Sequence, residues 1–221
     1  MRWRILLAAV LAVALTSCGD DDDNGGSATV DAEIGGIAAI GGAEAWPAPP
    51  ANEVDRVVQA AGLALGPSET LIHHVHAHLD VFIDGKHRTV PAGIGIVFTD
   101  PAVHKDTFAG GPTYGGIITP CAQPCISPLH THDITGTLHT ESATADDNTL
   151  GELFAEWDVK LTDSCVGTYC APDTPIRVYV DGKAKPLASA ADIELTNLRE
   201  IAIVIGRPPA RIPSEGDFSS G

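Results

Sequence analysis

The run Leu129-His130-Thr131-His132-Asp133-Ile134-Thr135-Gly136-Thr137-Leu138-His139-Thr140-Glu141 alternates like a β-hairpin. Thr135-Gly136 supplies a two-residue turn, because Gly takes up the positive φ that tight hairpin turns demand. That turn predicts Ile134 opposite Thr137, His132 opposite His139 and His130 opposite Glu141. Successive side chains leave a strand on opposite sides, so His130, His132, His139 and Glu141 should share one face. Opposed Cβ atoms in such a ladder lie about 4.5–5.5 Å apart, close enough for one metal ion to touch several imidazoles. Zinc takes nitrogen, sulfur and oxygen ligands in a tetrahedron, and copper(II) also suits imidazole and oxygen. One histidine on such a face is only a polar side chain. Three with a glutamate point to a metal.

A second histidine-rich run, Leu71-Ile72-His73-His74-Val75-His76-Ala77-His78-Leu79-Asp80-Val81-Phe82-Ile83-Asp84-Gly85-Lys86, precedes it. Asp84-Gly85 between alternating apolar runs is a hairpin signal. Val75, Leu79, Val81 and Ile83 fall on one face, the expected core, with His73 pointing the same way. His74, His76, His78 and Asp80 fall on the other. The outer two of the three histidines would lie about 13 Å apart, too far to share one ion. One or two adjacent ones, with His76 and His78 foremost, would therefore join ligands from the 130–141 hairpin, and the cluster has room for two ions.

Farther out, Ile176-Arg177-Val178-Tyr179-Val180-Asp181-Gly182-Lys183 repeats the strand-Asp-Gly-Lys pattern of residues 80–86 without the histidines. The fold therefore does not itself require them. Glu200 to Gly206 reads as a buried strand ended by Arg207-Pro208-Pro209. Asn52–Leu65 has helical spacing of Val54, Val57, Val58, Ala61 and Leu65. Thr149 with Glu152 forms a capping-box pattern opening a helix to Leu161, whose Leu150, Leu153, Phe154, Trp157 and Leu161 stripe is core. Residues 88–98 read as a strand broken by Pro91 and Gly93, and 99–120 as a loop. His87 and His104 read as surface residues.

The N-terminus sets the compartment. Arg2 and Arg4 precede an apolar run from Ile5 to Leu15, the pattern of an export signal too short to span a membrane stably. Loss of residues 1–17 leaves 11 of the 13 basic residues against 29 acidic ones, a net charge of about −18. Nucleic acid, whose phosphates would be repelled, is excluded as a partner, while cations are attracted. Gly19-Asp20-Asp21-Asp22-Asp23-Asn24-Gly25-Gly26-Ser27, then Ala, Gly and Pro to about residue 50, reads as an acidic, flexible tether. Beyond Cys18 the chain carries four cysteines, an even number suited to an oxidising compartment. Cys165 and Cys170 bracket a short loop and read as a local disulfide. Cys121 and Cys125 either form a second one or leave Cys125 as a thiolate ligand beside His130 and His132, which would favour copper.

Leu15-Thr16-Ser17-Cys18 resembles the lipobox of bacterial lipoproteins. By that resemblance Cys18 is lipidated and anchors the chain to the outer face of the bacterial cell membrane. The set of motifs His74-x-His76-x-His78-Leu79, Val90-Pro91-Ala92-Gly93-Ile94-Gly95-Ile96, Leu129-His130-Thr131-His132-Asp133, His139-Thr140-Glu141-Ser142 and Thr149-Leu150-Gly151-Glu152-Leu153-Phe154 resembles a group of exported bacterial and archaeal proteins with no established activity. It spans about residues 70–215 and implies that the two histidine motifs belong to one site. The layout is also similar to the zinc site of α-class carbonic anhydrases, without any wider match.

The expected architecture is mainly β, of the α+β kind, with antiparallel hairpins packed against one or two short helices. Residues 1–17 form the signal, 18–50 the tether and 51–221 one β-rich domain with a short C-terminal tail. His130, His132 and His139 are the expected ligands of copper or zinc, with His74, His76 and His78 as further candidates. Glu141 is a ligand or a carboxylate fixing a histidine tautomer, and Asp133 either a turn residue or one that supports the ligands from behind. Such a protein would sequester or deliver the metal at the cell surface. The alternative is a metal-dependent enzyme, a hydrolase or hydro-lyase, whose open metal position activates water with Glu141 or Asp80 as base.

Overall fold

A computed structural model describes residues 53–117 and 119–218. The export signal, Cys18 and the tether lie outside the described residues. In chain order the elements are α1 (Val54–Ala60), β1 (His73–Ile83), β2 (Lys86–Arg88), β3 (His104–Phe108), β4 (Gly111–Gly115), β5 (Leu129–His130), β6 (Thr137–Ser142), α2 (Leu150–Glu156), β7 (Cys165–Val166), β8 (Tyr169–Cys170), β9 (Ile176–Val180), β10 (Lys183–Lys185) and β11 (Glu200–Ile205). The protein is mainly β, with antiparallel hairpins and two short helices.

Strand β1 is the axis of a seven-stranded sheet ordered β10-β9-β11-β1-β6-β5, with β2 also on β1. Its first half pairs antiparallel with β6 and its second half parallel with β11. That parallel pair needs a long crossover, and the chain from Lys86 to Arg199 supplies it. Ala77, Leu79, Val81 and Ile83 of β1 join Leu129, Leu138, Val178, Val180, Ile201 and Ile203 in the main core, with Leu150, Leu153 and Phe154 of α2 and Trp157 just after it. Strand alternation then sends His74, His76 and His78 to the far face, as expected. Both Asp-Gly hairpins form: Asp84-Gly85 and Asp181-Gly182 carry φ of 51°, 79°, 50° and 73°, the positive values of type I′ turns.

Both helices stop earlier than their apolar spacing suggests, for one reason. After α1, Gly62 N–H bonds to Gln59 O and Leu63 N–H to Val58 O; after α2, Asp158 N–H bonds to Ala155 O and Val159 N–H to Phe154 O. Each is a Schellman stop around a left-handed residue, Gly62 (φ 81°) or Asp158 (φ 58°). The capping box at Thr149 and Glu152 forms as expected, and losing its Thr hydroxyl costs about 1 kcal/mol in such helices.

Two segments differ from their sequence reading. Residues 89–98 are not a strand: β2 ends at Arg88, and Gly93 and Gly95 adopt positive φ. Gly95 passes so close to the Leu129 carbonyl that a Cβ there would collide with it. The bends send Val90 and Ile94 into the main core and Ile96 into a second cluster with Val103, Ile117, Cys121, Cys125 and Ile126. Residues 104–115, expected as loop, form the β3–β4 hairpin around Ala109-Gly110. Every β3 residue is exposed, so no apolar alternation marked it.

Cys165–Cys170 and Cys121–Cys125 are disulfides. Cys125 is therefore not a thiolate ligand. Its sulfur is bonded to Cys121 in the second cluster, and the reading that favoured copper through it falls away.

Candidate metal centre

The 129–141 segment pairs with a different register from the one its turn signal predicts. His130 faces His139 and Leu129 faces Thr140, so the pairing slips by two residues and His132 leaves the ladder. The connection is wider because Asp133 Oδ1 accepts from the backbone N–H of Thr135 (2.8 Å) and its hydroxyl (2.6 Å), building a side-chain-closed turn ahead of Gly136. Asp133 is thus a turn residue, the first of its two expected roles. A slip of two keeps every side chain on its face, which is why the histidines still converge.

Across the other edge of β6, His76 faces His139 and His74 faces Glu141. Three neighbouring strands and one loop thereby gather His74, His76, His130, His132, His139 and Glu141. Within this cluster His130, His132, His139 and Glu141 form one group able to hold an ion, and His74, His76 and His139 form another.

The ring orientations are set by the backbone. His130 Nδ1 lies 2.9 Å from the Ser127 carbonyl and His132 Nδ1 lies 2.6 Å from the Tyr114 carbonyl. A carbonyl only accepts, so both rings donate through Nδ1–H, and both neutral rings carry a lone pair on Nε2. Those two Nε2 atoms face each other at 3.3 Å. Two lone pairs cannot bond to each other, but a cation between them satisfies both. For metal–nitrogen bonds of about 2.0–2.1 Å, two corners of a tetrahedron lie about 3.3–3.4 Å apart. His139 Nδ1 and Glu141 Oε2, both buried, have no hydrogen-bond partner among the described residues. Buried polar atoms are normally satisfied, and this pair, beside two opposed lone pairs, is a donor set that a cation could complete.

Electrostatics agree with the geometry. Burial lowers the pKa of His139, and His130, His132, His76 and His74 push it the same way. Burial also takes His130 well below its ordinary value, with His132 adding to the effect and the Ser127 carbonyl opposing it. His76 is lowered by burial, then by His74 and His132. Burial, with the charge of Glu69, pushes Glu141 up to about 7. Neutral imidazoles are the protonation state a metal requires, whereas Glu141 must give up its proton to serve as a ligand.

Supporting residues hold the cluster. Ser127, whose carbonyl receives His130, donates its hydroxyl to buried Glu156 at 2.5 Å. Gly115 lets the β4 backbone pass against the His132 ring, where a Cβ would collide. A cleft of about 360 Å³, lined in part by Glu69, His104, Asp106, Tyr114, His132 and Asp133, reaches the cluster at His132.

His78 is placed elsewhere. Its Nδ1 lies 2.8 Å from Glu200 Oε2 and its Nε2 lies 2.9 Å from the Thr135 carbonyl, in a separate group with Asp80. Both nitrogens are used, and the expected partnership with His76 around one ion does not form. His87 is exposed and pairs with Asp80 at 2.8 Å, while exposed His104 stands at the cleft. Sequence reasoning missed Glu200, although a glutamate heading the apolar run Ile201–Ile205 was a signal of a buried polar contact. It also missed Glu156 and the Ser127 and Tyr114 carbonyls, which no residue pattern announces.

Comparison with protein-family models, with curated proteins and with solved structures finds no match.

Proposed function

We propose that this chain is an exported, lipid-anchored protein that binds a transition metal, copper or zinc, through His130, His132, His139 and Glu141 and sequesters or delivers it outside the cell membrane. The observation that carries the reading is the pair of Nε2 lone pairs held 3.3 Å apart by two backbone carbonyls. A protein that needed only polar side chains here would let those rings rotate and hydrogen-bond each other. The resemblance to exported proteins, the lipobox-like Leu15-Thr16-Ser17-Cys18 and the two disulfides support the compartment.

The test is the metal content, by mass spectrometry, of the full-length chain purified from an exporting bacterial host, beside its His132→Ala and His139→Ala variants. Near-stoichiometric copper or zinc in the parent and its loss in both variants is the expected result. Absence of metal, with no rise in melting temperature on adding either ion, would sink the proposal. Radiolabelled lipid incorporation that disappears in Cys18→Ala tests the anchor separately.

The cleft at His132 favours a second reading, a metal-dependent enzyme in which a metal position open to that cleft activates water. Cobalt(II) loading separates the two. A visible spectrum that shifts with azide indicates an exchangeable position, and one that does not change indicates a closed shell.

A further inference from the structure

Resting on the metal-binding reading above, we infer that the cluster is built for two ions, with Glu141 between them and His139 ligating one of the two through its single lone pair. One ion sits at His130 and His132 and the other at His74 and His76.

The donor set is too large for one ion. Zinc takes four ligands in closed protein sites, whereas six side chains converge here. They divide into two pairs of Nε2 atoms: His130 and His132 at 3.3 Å, and His74 and His76 at 2.8 Å. In the metal-free chain one ring of the second pair donates Nε2–H to the other, a proton that an ion would displace.

Glu141 links the pairs. Its Oε1 lies 3.2 Å from His74 Nε2, 3.5 Å from His139 Nδ1 and 3.9 Å from His130 Nε2. The first two spans match neighbouring donors on one metal, and the third reaches across to the other pair. Oε2, buried without a partner, leaves a second oxygen for the second ion. Carboxylates that bridge in this way hold paired ions about 3.5–4 Å apart. His139 belongs to both groups able to hold an ion, and its ring centroid lies 4.4 Å from that of His76 and 4.3 Å from that of His132. The added positive charge is met by Glu141, by Glu69 next to it, and by a chain of formal net charge −16.

The pairs also differ in accessibility. His130 is fully buried, while the His74 side chain is about a third exposed. The second ion therefore exchanges more readily, and its ligands can be removed with less damage to the core.

The test is titration of the full-length, metal-free chain with zinc(II) and with copper(II), counting ions by calorimetry and by mass spectrometry after gel filtration. Two ions per chain are expected, falling to one when His74→Ala and His76→Ala are combined. In the copper-loaded parent, magnetic coupling should leave the paramagnetic resonance intensity well below two spins, and the double variant should restore one full spin. One ion per chain in the parent, or an unchanged count in the double variant, overturns the inference while leaving the metal-binding reading intact. No bound ion at all overturns both. A variant that does not fold is replaced by His74→Gln with His76→Gln, which keeps a polar side chain of similar size at the exposed edge and carries the same expectation.

Discussion

His78 and His139 lie on the same face of one sheet, on neighbouring strands, and each is buried beside a glutamate. His78 is completed by the protein itself, since Glu200 and the Thr135 carbonyl take both its nitrogens. His139 is not, for among the described residues its Nδ1 and the Oε2 of its neighbour Glu141 have no hydrogen-bond partner, although Glu200 Oε1 in the first pair has none either. The charges differ accordingly. Burial works against a proton on His78, but the hydrogen bond and charge of Glu200 outweigh it and raise its pKa. At His139 burial and the surrounding imidazoles act together and lower it. His139 stands among four other imidazoles, whereas His78 shares its group only with Asp80 and Glu200. The two imidazoles differ in the hydrogen bonding left undone: both nitrogens of His78 are taken, and Nδ1 of His139 is not.

The largest effect should come from breaking the completed pair. His78→Ala leaves Glu200 buried without its partner, and removal of one member of such a pair costs about 3–5 kcal/mol. Urea unfolding of the metal-free variant should show that loss while metal content stays at the parent level. A fall in metal content without a stability loss would reverse the comparison.

The opposite variant should do the opposite. A structural zinc site gains about 10–16 kcal/mol from its ligands, so one of four contributes ~3 kcal/mol. His139→Ala should therefore weaken metal binding on the order of a hundredfold in competition with a chelator of known affinity. Its cost to the metal-free fold should be smaller than that of His78→Ala, because Glu141 keeps His74 at 3.2 Å.

A smaller effect should follow from disturbing the site through its support. Gly115→Ala places a methyl group against the His132 ring. Loss of such orienting contacts typically costs about 10–100-fold in metal affinity, and calorimetry should find the decrease in that range. An affinity equal to the parent's would show that His132 is not held by this contact.

A pH effect should carry a sign opposite to ordinary acid denaturation. Burial raises Glu156 well above its usual range, and it also raises Glu200 against the pull of His78. Glu141 is pushed up to about 7, and His78 is raised by Glu200 and its other neighbours over the opposing effect of burial. Glu141, Glu156 and the His78–Glu200 pair taken as one unit hold protons more tightly folded than unfolded, so the metal-free chain should gain stability as pH falls from 8 to about 6.5. The gain is at most about 1.4 kcal/mol per pH unit for each group. Below about 6.5 the unfolded chain protonates His76, His130 and His139, which resist protonation when folded, and the gain is offset. Melting temperatures at pH 8, 7 and 6.5 check this, and a steady decline over that range would contradict it.

The same pair of regions shows how far the residues could be read before folding. Alternation along 73–83 and 129–141 placed the histidines opposite the core, and that survived a register error because a slip of two preserves the face. The Asp-Gly turns, the Thr149–Glu152 cap and the Cys165–Cys170 disulfide were equally legible, because each depends on residues close together in the chain, while Cys121–Cys125 stayed open between a disulfide and a thiolate ligand. The wide turn at Asp133 was not, since a side chain closed it instead of the Thr135-Gly136 pair. Nor were the Schellman stop at Asp158 or the exposed β3–β4 hairpin, where no apolar pattern competes.

Residue order and periodicity therefore set the strands, the turns, the histidine-bearing face and the supply of ligands, all governed by local backbone geometry. Packing across the long crossover chose which histidines stay open. It brought Glu200, 122 residues away, onto His78 and left His139 and Glu141 unsatisfied among the other imidazoles. Only contacts between distant segments can make that choice, because hydrogen bonds are completed in space and carry no period along the chain.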